Sequence, residues 1–168
     1  MRPISPYGTH KKMSEEICRE FYENFGIGTC SLRVFSAYGP GLKKQLFWDL
    51  YQKSRNQNKV QLYGTGSESR DFIYITDLVH AIRCVIGKTS FAGEVINVAN
   101  GEEIYIKEAV ATFYEKENGK ISYSFGGEGR TGDPINWVAN ISALRAMGYE
   151  PKVDLKSGIT KFWEWLNE

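Results

Sequence analysis

The spacing of apolar side chains switches repeatedly between two periods along this chain, and that alternation limits the possible fold more than any other feature. Met13, Ile17, Phe21 and Phe25 recur at helical spacing with Glu15, Glu16, Arg19 and Glu23 between them, so the stretch from about Pro6 to Phe25 reads as an amphipathic helix. Pro6 suits a first turn, Ser5 a cap and Gly26 a stop. Thr29–Phe35 (TCSLRVF) is then a short, mostly apolar run of the kind that forms a buried strand. AYGPG follows as a loop, Lys43 to about Arg55 as a helix, Val60–Tyr63 as a strand and Gly64–Ser67 as a turn. Asp71–Ile75 reads as a strand, and Thr76 caps a helix, Asp77–Lys88, whose apolar stripe is Leu78, Ala81, Ile82 and Val85. Beyond it come a strand at Glu94–Ala99, a helix from Ile106 to about Asn118, a strand at Ile121–Phe125 and a glycine-rich loop at Gly126–Pro134. Helices at Ile141–Met147 and Leu155–Leu166 close the series. Strands alternating with helices predict an α/β class.

Composition removes several function classes. The 168 residues suffice for one domain with a real core. Lys and Arg number 21 against 20 Asp and Glu, a formal charge of +1, so no basic excess points to nucleic acid or to an acidic membrane surface. No apolar run approaches the roughly 18 residues that a membrane span needs. The stretch MRPISPYGTHKK has no apolar core of the signal-peptide kind. Cys18, Cys30 and Cys84 are far apart, with no CxxC and no Cys/His cluster, which predicts no disulfide framework, no metal site and a cytoplasmic, reducing setting.

Two local patterns bear on chemistry. Gly127-Glu-Gly129-Arg-Thr-Gly132 has the glycine spacing of a dinucleotide turn, but Asp133-Pro134 stands where the helix should run, and a carboxylate there would repel a pyrophosphate. The segment reads as a loop. Tyr7 and Lys11, four apart, share a helical face. A phenol near pKa 10 is a poor base at neutral pH, and a neighbouring ammonium stabilises its phenolate. Such pairs also arise by chance in a chain with 10 tyrosines, so the weight of this one comes from its company.

That company is a set of motifs in a fixed order. Tyr7-Gly-Thr-His-Lys11 resembles the YxxxK signature of the extended short-chain dehydrogenase/reductases, the NAD-dependent nucleotide-sugar epimerases and dehydratases. LRVFSAYGPG is similar to their LRxFNxYGPG segment, GTGSESRDFIYITDLVHAI to their RDFIxVxDLxxA run and EVINVANGE to their NVGxG strand and turn. Arg130-Thr-Gly-Asp133-Pro134 resembles their RxGD motif. The UDP-glucose 4-epimerase-like members look most similar.

The resemblance implies roles position by position. Tyr7 matches the acid/base that takes the proton of the sugar hydroxyl, and Lys11 the lysine that holds the nicotinamide ribose and lowers the phenol pKa. Phe35 matches the residue whose backbone meets the carboxamide. Ser36 stands where the family commonly has Asn, a sugar or diphosphate contact. Gln61 and Tyr63 match a strand along the nucleotide base, Arg70 and Arg130 the two arginines on the diphosphate, and Asp133 a carboxylate for the ribose hydroxyls. Guanidinium forks suit phosphate oxygens. Plainer readings stand beside these: a surface ion pair of Arg70 with Asp71 or Asp77, a loop arginine at 130, a turn former at Asp133 and a half-buried strand aromatic at Tyr63. His10 and His80 read as exposed helix residues without a role.

The resemblance also implies a division. Residues 1–40 and about 71–100 would be part of a Rossmann sheet, and about 41–70 and 101–168 a substrate-binding lobe. The family's first strand, its pyrophosphate-binding glycine turn and the Ser/Thr that precedes the tyrosine would lie N-terminal to residue 1. Charge-assisted hydrogen bonds are worth about 1.5–3 kcal/mol each, so four lost at the phosphates would cost about 6–12 kcal/mol of NAD binding. The expectation is therefore the C-terminal half of an NAD-dependent epimerase or dehydratase acting on a UDP-type sugar through transient oxidation at C4. By itself it would be inactive. A sheet without its first half would have an unpaired edge, with Met13, Ile17 and Phe21 short of partners, so the expected partners are a second copy of the chain or the missing half. The other open reading is a non-catalytic remnant that binds a nucleotide sugar or a partner chain.

Overall fold

The computed structural model describes residues 3–127 and 135–168. Helix α1 (Pro6–Phe25) begins where expected, with the Gly8 N–H donating to Ser5 Oγ at 3.1 Å. Gly26 ends it in the left-handed region at φ 65°, its N–H and that of Ile27 closing onto the last carbonyls. Strand β1 (Thr29–Val34) runs parallel to β6 (Ala92–Val98), in register from Cys30 opposite Glu94 to Val34 opposite Val98. Strand β2 (Ser36–Tyr38) runs parallel to β5 (Phe72–Tyr74). Phe35 is the step between the two pairs: its N–H donates to Val98 O, and the next N–H, of Ser36, donates to Asp71 O.

Alternation along β1 sets its two faces. Thr29 and Arg33 meet α1, through a 2.7 Å hydrogen bond from Thr29 Oγ1 to Cys18 O and a two-pronged pairing of Arg33 with Glu15 at 2.6 Å. Gly93, at φ 80°, lets α1 come this near; a Cβ there would sit 3.1 Å from Arg19 Cα. Cys30 and Leu32 pack on the other side, against a core of Ile73, Ala81, Val85, Ile96, Leu144 and Tyr149. Helices α3 (Ile75–Lys88) and α5 (Ser142–Ala146) supply part of that core.

A second lobe contains α2 (Gln45–Asn56), β3 (Lys59–Leu62) parallel to β8 (Ser122–Phe125), α4 (Ile106–Tyr114) and α6 (Leu155–Leu166). Its core includes Phe47, Leu50, Phe113, Ile159 and Phe162. Strands β4 (Ser69–Arg70) and β7 (Ile104–Tyr105) pair antiparallel.

Several local expectations need correction. Thr76 caps nothing: α3 starts at Ile75 with Tyr74 at the cap position, so the strand before it ends at Tyr74. Part of the AYGPG loop is strand β2, recruited by its pairing with β5 rather than by propensity. The strand at 60–63 starts at Lys59 and stops at Leu62, which leaves Tyr63 beyond its end. The fourth long helix tightens into a 3-10 turn (Glu115–Glu117) before Asn118. His80 is half-buried, 5.7 Å ring to ring from Tyr149, and not exposed. The GxGxxG segment lies, apart from Gly127, outside the described residues.

Helix α1 carries no buried residue, and Met13, Ile17, Phe21 and Phe25 are exposed. Among the described residues β1 pairs on one edge only, with β6. No helix of the described residues is long and apolar enough to cross a membrane.

Candidate functional site

A cleft of about 760 Å³ lies beyond the carboxyl end of β1, between the sheet and α2. Open α/β sheets bind ligands at such strand ends. Tyr7, Phe35, Ser36, Tyr63 and Arg70 all line it. Its inner surface is apolar, with Phe47, Phe72 and Phe162 among the lining residues.

Tyr7 is in the first turn of α1 and is 71% exposed, with the Lys11 ammonium 5.4 Å from its ring centroid. Lys11 thus stands behind Tyr7 and does not line the cleft itself. Phe35 has its N–H engaged by Val98, its carbonyl accepting from Ala37 at 2.8 Å, and its ring against Trp137 at 5.0 Å. Ser36 is fixed through its own N–H to Asp71 O, so its side chain is offered from a rigid strand. Arg70 is half-buried, and its Nη1 donates to Ser69 O at 2.7 Å. Tyr63 is 64% exposed rather than a half-buried strand aromatic. Gln61 is not brought to the cleft: it is exposed on β3, its amide against Gly126. Arg130 and Asp133 lie outside the described residues.

The carboxylates beside Arg70 serve the backbone. Asp71 is fully buried and accepts from the N–H groups of Asn100, Gly101 and Ala139 at 3.0–3.2 Å. Burial pushes its carboxyl above the usual range, against the pull of those donors. Asp77, also buried, accepts from the Lys152 and Val153 N–H groups at 2.8 and 2.9 Å. Buried Ser69 donates to Glu103 at 2.6 Å and accepts from the Trp137 N–H at 3.2 Å. The RDFIYITDL motif therefore presents one arginine to the cleft and uses its two aspartates to fasten distant backbone.

Other cleft residues carried no sequence signal. Glu68 accepts from the N–H groups of Thr65 and Gly66, which outweigh the effect of burial and hold it below the usual carboxylate range. Gln45, at the start of α2, has φ 68°, a conformation that costs an L-residue about 1–2 kcal/mol and aims the α2 terminus at the cleft. Trp137 lines the cleft from a stretch that has no regular element.

Parallel strand pairs, helices on both faces and a cleft past the strand ends define a Rossmann-type α/β protein with an added lobe. Residues 1–99 match the NAD dependent epimerase/dehydratase family, and the chain belongs to it. The chain is 33% identical over 169 residues to an uncharacterized UDP-glucose epimerase of Bacillus subtilis, covering 99% of this chain and 53% of that protein. It is 28% identical to UDP-glucuronate 4-epimerase 4 of Arabidopsis thaliana, covering 98% and 41%. Among solved structures it resembles the UDP-glucuronic acid 4-epimerase of Bacillus cereus in complex with UDP-glucuronic acid and NAD. The TM-score is 0.89 at 27% identity, covering 99% of this chain and 54% of that one. The chain spans about half the length of these relatives.

Proposed function

We propose that residues 1–168 form the sugar-nucleotide side of an NAD-dependent epimerase or dehydratase, and that turnover needs NAD-anchoring polypeptide outside these residues. The observation that carries this reading is the meeting of three segments far apart in sequence, at Tyr7, Phe35–Ser36 and Arg70, in one cleft. In the proposed first step the sugar C4 hydroxyl gives its proton to Tyr7 Oη as the C4 hydrogen leaves with its electron pair. NAD, when bound, would accept that hydride. The residues here would meet its nicotinamide end: Tyr7 at the cleft with Lys11 behind it for the ribose, and the second lone pair of the Phe35 carbonyl for the carboxamide. Arg70 would bind the diphosphate with its fork, joined by Arg130, while Asp133 would take the ribose hydroxyls. Ser36 would contact the sugar or the diphosphate, and Tyr63 would pack along the base.

A UDP-type sugar is the proposed substrate, and a cytoplasmic setting fits such a substrate. The exposed α1 face and the singly paired β1 favour association, either with a second copy or with the NAD-binding half. A non-catalytic role as a nucleotide-sugar or partner-binding module draws on the same two features.

Calorimetry tests the reading. The isolated chain is expected to bind UDP-sugars and to show no saturable NAD binding; an NAD dissociation constant below about 100 µM would overturn the division of labour. Adding an NAD-binding half and a UDP-sugar should produce a transient NADH fluorescence signal, and its persistent absence would favour the non-catalytic module.

A further inference from the structure

Helix α3 is apolar on two sides, and the described residues cover only one of them. Leu78, Ala81 and Val85 belong to the core beneath it, and His80 on its flank packs against Tyr149, beyond α5. At 100° per residue, Ile75, Val79, Ile82 and Ile86 form a second stripe on the flank opposite His80 and Cys84. Val79 is 50% exposed and Ile86 62%, and Ile75 is exposed as well. Branching at Cβ costs a surface helix side-chain freedom, so propensity gives no reason for four such residues in line. Helix α5 packs on β6 and on the His80 flank, which leaves the stripe on the β1 side of α3. Cys30 and Leu32 of β1 are half-buried on that same face of the sheet.

We propose that the outer stripe of α3 and the free edge of β1 are one docking surface. Its occupant is the NAD-anchoring polypeptide, seated as a strand parallel to β1 with an apolar helix against Ile75, Val79, Ile82 and Ile86. The inference rests on the sugar-nucleotide reading and says where the partner of that reading sits. The Thr29 and Phe35 N–H groups donate toward β6, and alternation turns those of Cys30, Leu32 and Val34 to the free edge. Val34 ends β1 at the cleft, which it lines together with Tyr7 and Phe35. A strand laid parallel to β1 delivers its own carboxyl end, and the loop after it, to that same cleft, where a parallel sheet binds ligand. A second copy related by a two-fold axis would instead pair β1 with β1 antiparallel and bring Thr29 there. Both β1 and β2 already pair in parallel. A parallel strand also brings a crossover helix, the element that the stripe lacks. The relatives carry about as much chain again as these 168 residues, ample for such a unit.

The experiment is co-expression of the 168-residue chain with the part of the Bacillus subtilis relative that it does not match, read by affinity capture and amide exchange. The parent chain is expected to capture that part. Val79→Lys together with Ile86→Lys should weaken capture about tenfold or more, while Gln52→Lys, the same change of side chain on exposed α2 surface, leaves it unchanged. Urea midpoints of the free variants should stay near that of the parent, because Val79 and Ile86 are exposed in the free chain. Exchange at the Cys30, Leu32 and Val34 N–H groups should slow in the complex. Capture that the double variant leaves intact, or unchanged exchange at those three groups, would overturn the proposal. So would a parent chain that captures nothing, or one whose self-association the double variant abolishes in place of capture, since a second copy would then be the occupant. UDP-sugar calorimetry on the parent chain reports separately: binding keeps the sugar-nucleotide reading whatever capture shows, and its absence removes that reading.

Discussion

Tyr7 and Arg70 separate chemistry from affinity in the proposed cleft, and substitutions should separate them too. Tyr7→Phe is expected to leave UDP binding within about twofold while lowering turnover, once NAD-binding polypeptide is supplied, by about 10²–10⁴-fold, the usual weight of a general base. Arg70→Ala should do the reverse in calorimetry, weakening UDP about tenfold or more through the lost phosphate contact. Asp71→Ala should act first on stability. It strips three buried N–H groups of their acceptor, and a loss of about 3 kcal/mol or more in urea unfolding is expected. Acid sensitivity belongs to Glu15. The Arg33 hydrogen bond holds its carboxyl below the usual value of 4.5, so the stabilisation is complete above that value and is lost as pH falls through the lower folded value. Glu15→Gln should flatten the loss of stability below about pH 4.5, read as urea midpoint against pH. Tyr7, Ser36 and Arg70, which line one cleft, could be singled out in the sequence because the motifs that carry them are short and local. The buried roles of Asp71 and Asp77 were not, since nothing in a lone aspartate shows which distant N–H groups will surround it.

Among the elements, those driven by periodicity were readable, and those driven by pairing were not. Helices α1, α2, α3, α4 and α6 carry apolar stripes that a 3.6-residue period exposes. Strands β2, β4 and β7 have two or three residues each and exist because of their partners β5, β7 and β4. The fit of α6 was equally hidden. A Cβ on Gly158 would lie 2.8 Å from Tyr38 Cζ and nearer still to the hydroxyl, so the helix seats only with glycine there. Gly158→Ala should therefore destabilise by about 2 kcal/mol, although alanine is the better helix former by about 1 kcal/mol. Tyr38→Phe in the same chain should recover part of the loss, because it removes the nearest atom. Equal urea midpoints for Gly158→Ala and the parent would refute that packing.

At the level of the whole molecule, the exposed face of α1 and the singly paired β1 leave apolar surface and backbone donors open to association. Light scattering should show species heavier than the 19.1 kDa monomer, and Phe21→Lys together with Phe25→Lys should shift the distribution toward it. A single sharp monomer peak for the parent chain would contradict this. The α/β class was readable at this scale, as was a parallel sheet containing TCSLRVF and EVINVA, though not that these two strands are neighbours. The packing of the second core was not, because it joins aromatic residues as distant in sequence as Phe47 and Phe162. The clamp at Asp71 carries one more consequence. One carboxylate fastens β5 to the turn after β6 and to the wall that bears Trp137, so these parts of the cleft must loosen together or not at all. Amide hydrogen exchange should then slow in concert at Asn100, Gly101 and Ala139 when a nucleotide occupies the cleft, a cooperative signature that independent loops would not produce.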